Sequence, residues 1–559
     1  MRGWRILCTV LCLMVVCFSL VSCTKVAKAP LASAEPVSGG KLVVGIGGGV
    51  VHLDVQSVNF SAIAQATQYV YEQLFERTAT GVVPWLAKSY EISDDGLTLS
   101  LNLQEGVSFH DGTLFNAEAA KFSLQRKIDL KKPLYDLLSP IASIEVTGEY
   151  ELTLHLTRPA PHLIPTLAAK TFAMYSPKWV AEKSTQTGAQ EAAAGVDQGL
   201  ANEAVGTGPY VLESFVSDSV VKLKKNANYW RQGYPYLDEI ELRVVTDPSA
   251  GAMQLEAGDL DVLLLVSSID LKRYSDQPDL GIKVQRFDTA AQYNVALNCT
   301  KPPLDNPRVR QALNYAIDKE GIISTVFLGF GATMAEAPLT TPVVQGYRPI
   351  GHYAYDPDKA KSLLREAGYE PGANDILYKN GQPLTLDFST TVGRRPGDLQ
   401  TAEIIKANLR AVGVNVRLTQ IETATFIWEI NRSPEQAHQH LLMLYSGSSN
   451  ADLSYNLNSW FASSRWAPVG YNYSYYKNDK VDQLIAQGNE QPTFETRNPI
   501  YNEALSIVFD DAPIIQLFNA TTSMAYGQHV GGIAPDMVGY DPTLSLMSLK
   551  FAWTTKTGE

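Results

Sequence analysis

The chain is poor in cysteine, and four of its five cysteines fall within the first 23 residues. Cys8, Cys12 and Cys17 lie inside an apolar run, where the thiol behaves as a small hydrophobe. Beyond Cys23 only Cys299 remains. If Cys23 is modified, no internal disulfide can form, and no cysteine metal site can be built. A folded part of this size needs no such staple, because its core is large enough. Basic charge is also short: the net charge is −12, with the acidic side chains scattered. That argues against nucleic acid, which asks for a basic face. No Gly-x-Ser-x-Gly elbow and no His-Glu-x-x-His occurs. The carboxylate pairs Asp94-Asp95 and Asp510-Asp511 are sequence neighbours, so they do not oppose each other across a substrate. Catalysis is therefore not expected. The eight histidines show no metal-ligand spacing; His438 and His440, two apart, would suit a metal only on a strand or loop. No second apolar run approaches the roughly 18 residues of a membrane span.

What is present begins with Met1 to Ser22. Arg2 and Arg5 precede an apolar stretch, Ile6 to Val21. It is short for a membrane helix and reads as a signal peptide over 1–22. Leu20-Val21-Ser22-Cys23 looks like a lipobox, which would make Cys23 the lipid-bearing first mature residue. A simple secretory signal or an uncleaved anchor is the alternative. Residues 23–39, rich in Ala, Pro, Ser and Gly, read as a lipid-anchored linker. Roughly 520 residues remain, enough for two to four domains.

Leu42-Val43-Val44-Gly45-Ile46 reads as the first strand. Residues 59–77 carry Ala62, Ile63, Ala66, Val70 and Leu74 at helical spacing and predict a helix. Leu97, Leu99, Leu101 and Leu103 alternate with polar residues after the turn Ser93-Asp94-Asp95-Gly96, a hairpin pattern. A second strand pair is expected around Gly148-Glu149. Asn306-Pro307 opens a helix with Val309, Leu313, Ala316 and Ile317 on one face. Asp356 caps the next, with Pro357 at its first position and Gly368 as its stop. Further on, strands and helices alternate, as in an α/β domain. Gly206-Thr207-Gly208-Pro209-Tyr210 lacks the Gly-Lys-Ser/Thr ending of a phosphate loop and reads as a tight turn.

Several of these stretches carry more than periodicity. Residues 84–118, from Pro84-Trp85 through His110-Asp111-Gly112 to Glu118, resemble the signature of the family 5 extracellular solute-binding proteins. Gly206 to Tyr210, Asn226-x-x-Tyr229-Trp230, Gly258-x-x-Asp261, Asn306 to Lys319 and Asp356 to Tyr369 are similar to further motifs of that family. The resemblance spans about residues 40–550. It implies an α/β, bilobed periplasmic-binding-protein type II fold with an extra subdomain in the first lobe. Lobe I would comprise 40–84, 205–295 and 513–559, the subdomain 85–204, and lobe II 296–512. It implies the substrate-binding component of an ABC importer, with a permease and its ATPase as partners and no cofactor. Its place would be the periplasm or the extracellular face of the membrane, lipid-anchored. Di- or oligopeptides are the implied ligands; an oligosaccharide, an opine-like anion or a nickel chelate is the alternative.

The same resemblance selects cleft candidates. Peptide binders of the family hold an aromatic and then an aspartate in the segment matching 443–452. Here Tyr445 takes the aromatic place, Ser448 falls near the aspartate place, and Asp452 is the nearest carboxylate. A buried ligand amine needs such a carboxylate. Nickel-type members place an arginine in the segment matching 169–176, where this chain has only the cation Lys170. Arg394 and Arg395, in the loop Gly393 to Gly397, could clamp a carboxylate or phosphate. Trp428, Trp460 and Phe461 are aromatic candidates for the cleft walls. Tyr471, Tyr473, Tyr475 and Tyr476 form an aromatic segment that would suit either a stacking surface or an ordinary strand.

Overall fold

The strand periodicities translate directly into sheets. Thr98–Leu103 buries Leu99, Leu101 and Leu103 and exposes Asn102. It pairs antiparallel with Ala87–Ile92 across the Asp94-Asp95 turn, where Gly96 takes φ +70°. Glu151–Leu156 and Ile141–Gly148 complete a four-stranded antiparallel sheet. Its buried face, closed by the helix Ala117–Leu130, makes a separate core running from Leu74 to Met174. These elements belong to a computed structural model that describes residues 35–57, 61–78, 81–132, 134–185, 196–264, 266–391, 395, 397–448, 450–533 and 549–556.

Among the described residues the main sheet has eleven strands. From one edge the order is Asn415–Ile421, Thr385–Thr391, Leu441–Gly447, Ile282–Leu297, Ile514–Gly527, Val262–Leu263, Lys41–Ile46, Glu239–Val244, Val220–Lys225 and Tyr210–Val216. Ala332–Met334 pairs with Ile514–Gly527 beside this path. The two central strands hold 16 and 14 residues. At about 3.3 Å per residue each is some 50 Å long, enough to cross two lobes. They run antiparallel, and their register shifts between Asp288 and Gln292. There the buried Gln292 amide donates to Ala337 O at 2.8 Å and Thr340 O at 2.7 Å, and its oxygen accepts from Leu339 N. The molecule has the bilobed α/β periplasmic-binding-protein fold. One lobe core gathers Leu42, Val44, Ile240, Leu242 and Met524. The other gathers Val295, Leu313, Leu386, Ile405 and Phe518.

Helix ends follow the caps. Asn306 Oδ1 accepts from Arg308 N at 3.0 Å, and Asp356 from Lys359 N at 2.8 Å. Two expectations need correction. The helix expected over 59–77 is only Ser61–Thr67; the chain then passes through coil into the strand Phe75–Thr78. The reason is tertiary: Tyr69 O and Val70 O bond to Tyr210 N and Gly208 N instead of continuing a helical ladder. The tyrosine segment 471–476 forms turns and coil, not a strand, with Tyr475 at φ +49°.

Candidate functional site

The motif residues converge on one buried carboxylate. Glu72 accepts from Trp85 Nε1 at 2.7 Å, Tyr229 Oη at 2.7 Å, Trp230 Nε1 at 2.9 Å and Thr207 Oγ1 at 2.9 Å. Three motifs far apart in sequence thus supply four donors to a single side chain. A carboxylate so satisfied can be buried without a counter-ion in direct contact. The glycines beside it are there for close backbone approach. A Cβ on Gly206 would stand 2.1 Å from Val70 O, and one on Gly208 2.4 Å from Tyr69 O. His110 Nε2 lies 2.9 Å from Gly208 O, which ties the His110-Asp111-Gly112 turn to the same knot. Burial lowers the His110 pKa to about 4. Asp261 of the short turn likewise accepts from Val43 N and His529 Nε2, both at 2.8 Å. These motifs build the lobe.

Lys170 sits next to this knot. Its ammonium donates to Gln73 Oε1 at 2.9 Å and Glu76 Oε1 at 3.1 Å. Burial pulls its pKa down to about 8, against the attraction of Glu76. Lys550 Nζ lies 3.6 Å from the other Glu76 oxygen. In this arrangement the charge of Lys170 is met by its own lobe.

The loop after Leu441–Gly447 is equally engaged. Ser448 Oγ accepts from Asp452 N at 3.2 Å, and Ser448 N donates to Ala290 O at 3.0 Å. Asp452 caps the helix Leu453–Trp460 through Ser454 N at 2.9 Å and also receives the Ser454 hydroxyl. Its second oxygen takes Arg497 Nη2 at 2.6 Å, with both side chains at most 1% exposed. Asp452 therefore turns into the lobe with both oxygens occupied. Between Ser448 and Asp452, Asn450 reaches out. Its Nδ2 donates to Thr166 Oγ1 at 3.1 Å, and its carbonyl accepts from Arg77 Nη2 at 2.6 Å.

Tyr445 and Arg395 meet. The guanidinium lies 4.3 Å from the centre of the Tyr445 ring, and among the described residues its Nε has no hydrogen-bond partner. Tyr445 packs edge-on to Tyr293, ring centres 5.0 Å apart. Thr385–Thr391, Asn415–Ile421 and Leu441–Gly447 are mutually parallel in the sheet. Arg395 follows the carboxyl end of the first, and the Asn450 loop that of the third. That edge of an open α/β sheet is where ligands bind. Arg394 lies outside the described residues, as does Cys23. Trp460 donates from Nε1 to Gly447 O at 3.3 Å and is covered by Tyr471, ring centres 5.5 Å apart. Trp428 is 78% exposed on the helix Thr423–Ile430. Phe461 is core. Two surface hollows, of about 610 and 410 Å³, lie beside Pro248–Ala257 and beside Pro302 and Pro303, and hold none of the candidate residues.

Residues 81–468 match the model of the bacterial extracellular solute-binding proteins, family 5. The chain belongs to this family. Over 515 residues this family 5 protein is 30% identical to the glutathione-binding protein GsiB of Salmonella typhimurium, covering 90% of this chain and 94% of that one. Its fold is similar to that of HbpA2 from Haemophilus parasuis, with TM-score 0.77, 26% identity, and 92% and 100% of the two chains covered. It is also similar to NikA from Brucella suis, solved in complex with Fe(III)-EDTA, at TM-score 0.78 and 25% identity, covering 92% and 100%. The protein is thus a substrate-binding component of an ABC importer of the peptide/nickel-binding family, at a periplasmic or extracellular location, and not an enzyme.

Some residues that matter to this family 5 protein were not singled out from sequence. Glu72 and Arg77 lie in the stretch 59–77 whose spacing predicts a helix, and Asn450 in the segment 443–452 that resembles the family's cleft loop. Glu72 does carry a faint signal: a carboxylate among Val70, Tyr71, Leu74 and Phe75 must find donors. Nothing comparable marks Asn450.

Proposed function

We propose that this protein captures a short peptide between its lobes and delivers it to an ABC permease and its ATPase. Glutathione is the first compound to test. The observation that carries the reading is the Arg395 guanidinium, half-buried over Tyr445, with its Nε unpaired among the described residues. A guanidinium held flat on an aromatic ring keeps its edge for a carboxylate. The likeness to GsiB supports the same class. Lys170 and Asp452 drop out of the ligand set, because each is saturated within the protein. Ser448 contributes by holding its turn, and Tyr445 as the platform under Arg395. Trp428 and Trp460 stand as outer walls.

The remaining parts of the reading follow the same line. Cys23 carries a lipid that tethers the protein through 23–39. The lobes divide as 40–84, 205–295 and 513–559 against 296–512, with 85–204 as the subdomain. The cores follow this division only in part: the subdomain core reaches back to Leu74, the first-lobe core takes in Tyr175, Trp179 and Leu200, and the second-lobe core takes in Tyr293, Val295, Ile515 and Phe518.

The test is titration calorimetry with glutathione, a neutral dipeptide amide and an opine, on wild type and Arg395→Ala. The reading expects glutathione to bind and the variant to lose roughly tenfold to hundredfold in affinity, as for a charged hydrogen bond. Binding of the opine alone would move the assignment to a non-peptide anion. Glutathione binding that is indifferent to Arg395 would remove that residue from the site.

A further inference from the structure

Contacts between the second lobe and the first lobe with its subdomain recur at separate points. Arg77 Nη2 lies 2.6 Å from Asn450 O and 3.2 Å from Pro165 O, so one guanidinium nitrogen bridges a carbonyl on each side. Asn450 Nδ2 returns a bond to Thr166 Oγ1 at 3.1 Å. Arg77, Thr166 and Asn450 are all buried. Further along, the hairpin turn at Gly96 abuts Pro492. A Cβ on Gly96 would stand 2.9 Å from Pro492 Cβ and 3.2 Å from its Cα. Burial lowers the pKa of His162 in the subdomain to about 4, and the charges of Asp452 and Arg497 in the second lobe act on it more weakly.

The lobe II side of this seam is stiff. Ser448 Oγ and Asn450 Oδ1 both accept from Asp452 N, and Ala451 is held at φ +47°. Gln345 N bonds to Ala451 O, and Leu453 N to Gln345 O. The turn presents the Asn450 carbonyl at a set position. The partner side is carried by Phe75–Thr78 and Leu163–Thr166, both rooted in the subdomain core.

We propose that this seam is a closure latch. The subdomain acts as the jaw, and Arg77 and Asn450 hold it against the second lobe while a solute is enclosed. The inference rests on the reading that solute is held between the lobes. When the lobes part, the Arg77 and Asn450 groups exchange their bonds for water, so the latch is reversible. Release of solute then requires breaking it. Arg77, Thr166 and Asn450 are positioning residues, which act on how long the cleft stays shut.

The experiment is amide hydrogen exchange on the full, ligand-free chain for wild type, Arg77→Ala, Asn450→Ala and Thr166→Val. The last is isosteric and removes the hydroxyl that accepts from Asn450 Nδ2. In each variant the latch predicts faster exchange on both sides of the seam at once, at Leu167 and at Leu453. The expected change is about tenfold, as for loss of one hydrogen bond. Acceleration confined to the lobe bearing the substitution, or none in Thr166→Val, would overturn the proposal. With glutathione as probe, the variants should release it about tenfold faster at an unchanged association rate. If wild type takes up no glutathione, the ligand reading fails while the exchange result still decides the latch.

Discussion

Replacing Asp452 by asparagine separates two roles that the same residue could hold. The geometry makes it a structural charge: it pairs with Arg497 at 2.6 Å, with side-chain exposures of 0% and 1%. The substitution leaves a guanidinium buried, flanked by the Phe494 and Tyr501 rings at 4.7 and 5.3 Å. Removing one partner of a buried pair costs about 3–5 kcal/mol. The helix cap adds nothing to this sum, because asparagine caps as well as aspartate. For a unit of roughly 200 residues each kcal/mol moves the melting temperature by about 2–4 °C. The expected fall is therefore roughly 6–20 °C, read by calorimetry on ligand-free protein. Glutathione affinity, measured well below the transition, should stay near the wild-type value. The double variant Asp452→Leu, Arg497→Met should recover most of the loss, since no unpaired charge remains. The reasoning is refuted if Asp452→Asn melts within about 2 °C of wild type and loses the ligand.

Other outcomes follow from the same geometry. Glu72→Gln turns an amide toward donors that need acceptors, orphaning two of four, and should cost about 2–4 kcal/mol in urea unfolding; a neutral result would mean that the knot is not load-sharing. Gly206→Ala drives a Cβ onto Val70 O and should lower the melting temperature, whereas Gly233→Ala, with open space but φ +83°, should cost only about 1 kcal/mol. Lys319 is held near a pKa of about 7 by burial, while an unfolded lysine titrates near 10.4. Below pH 7 the ammonium is charged in both states and its burial penalty is complete. As pH rises the folded state loses its proton first, so stability relative to Lys319→Met should rise by about 1.4 kcal/mol per unit between about pH 7 and 9. A flat difference would show that Lys319 stays charged. Cys299, whose thiol burial pushes up to about 11, should resist alkylation in the native protein and react on unfolding.

Much of the fold was legible because it is written in short-range chemistry. The alternation from Leu97 to Leu103, the Asn306 and Asp356 caps, and the Gly96 and Gly368 turns each act within a few residues, and each formed as read. The resemblance carried the architecture further, because the motif residues meet at Glu72 and Asp261 and rebuild the same lobe. The failures came where distant segments compete for the backbone. Residues 68–74 carry helical spacing, yet Gly208 and Tyr210 take their carbonyls.

The candidate site divides the same way. Sequence alone determined that the chain is a two-lobed binder without catalytic machinery, and it named Arg395 and Tyr445 separately. Only the tertiary structure decided that those two stack, that Lys170 is neutralised by Glu76, and that Asp452 is spent on Arg497. The reason is physical: whether a charge is available to a ligand depends on partners brought from tens or hundreds of residues away. Lys170 and Glu76 are 94 positions apart, and Arg77 and Asn450 are 373 apart. No local pattern records such a pairing; folding creates it.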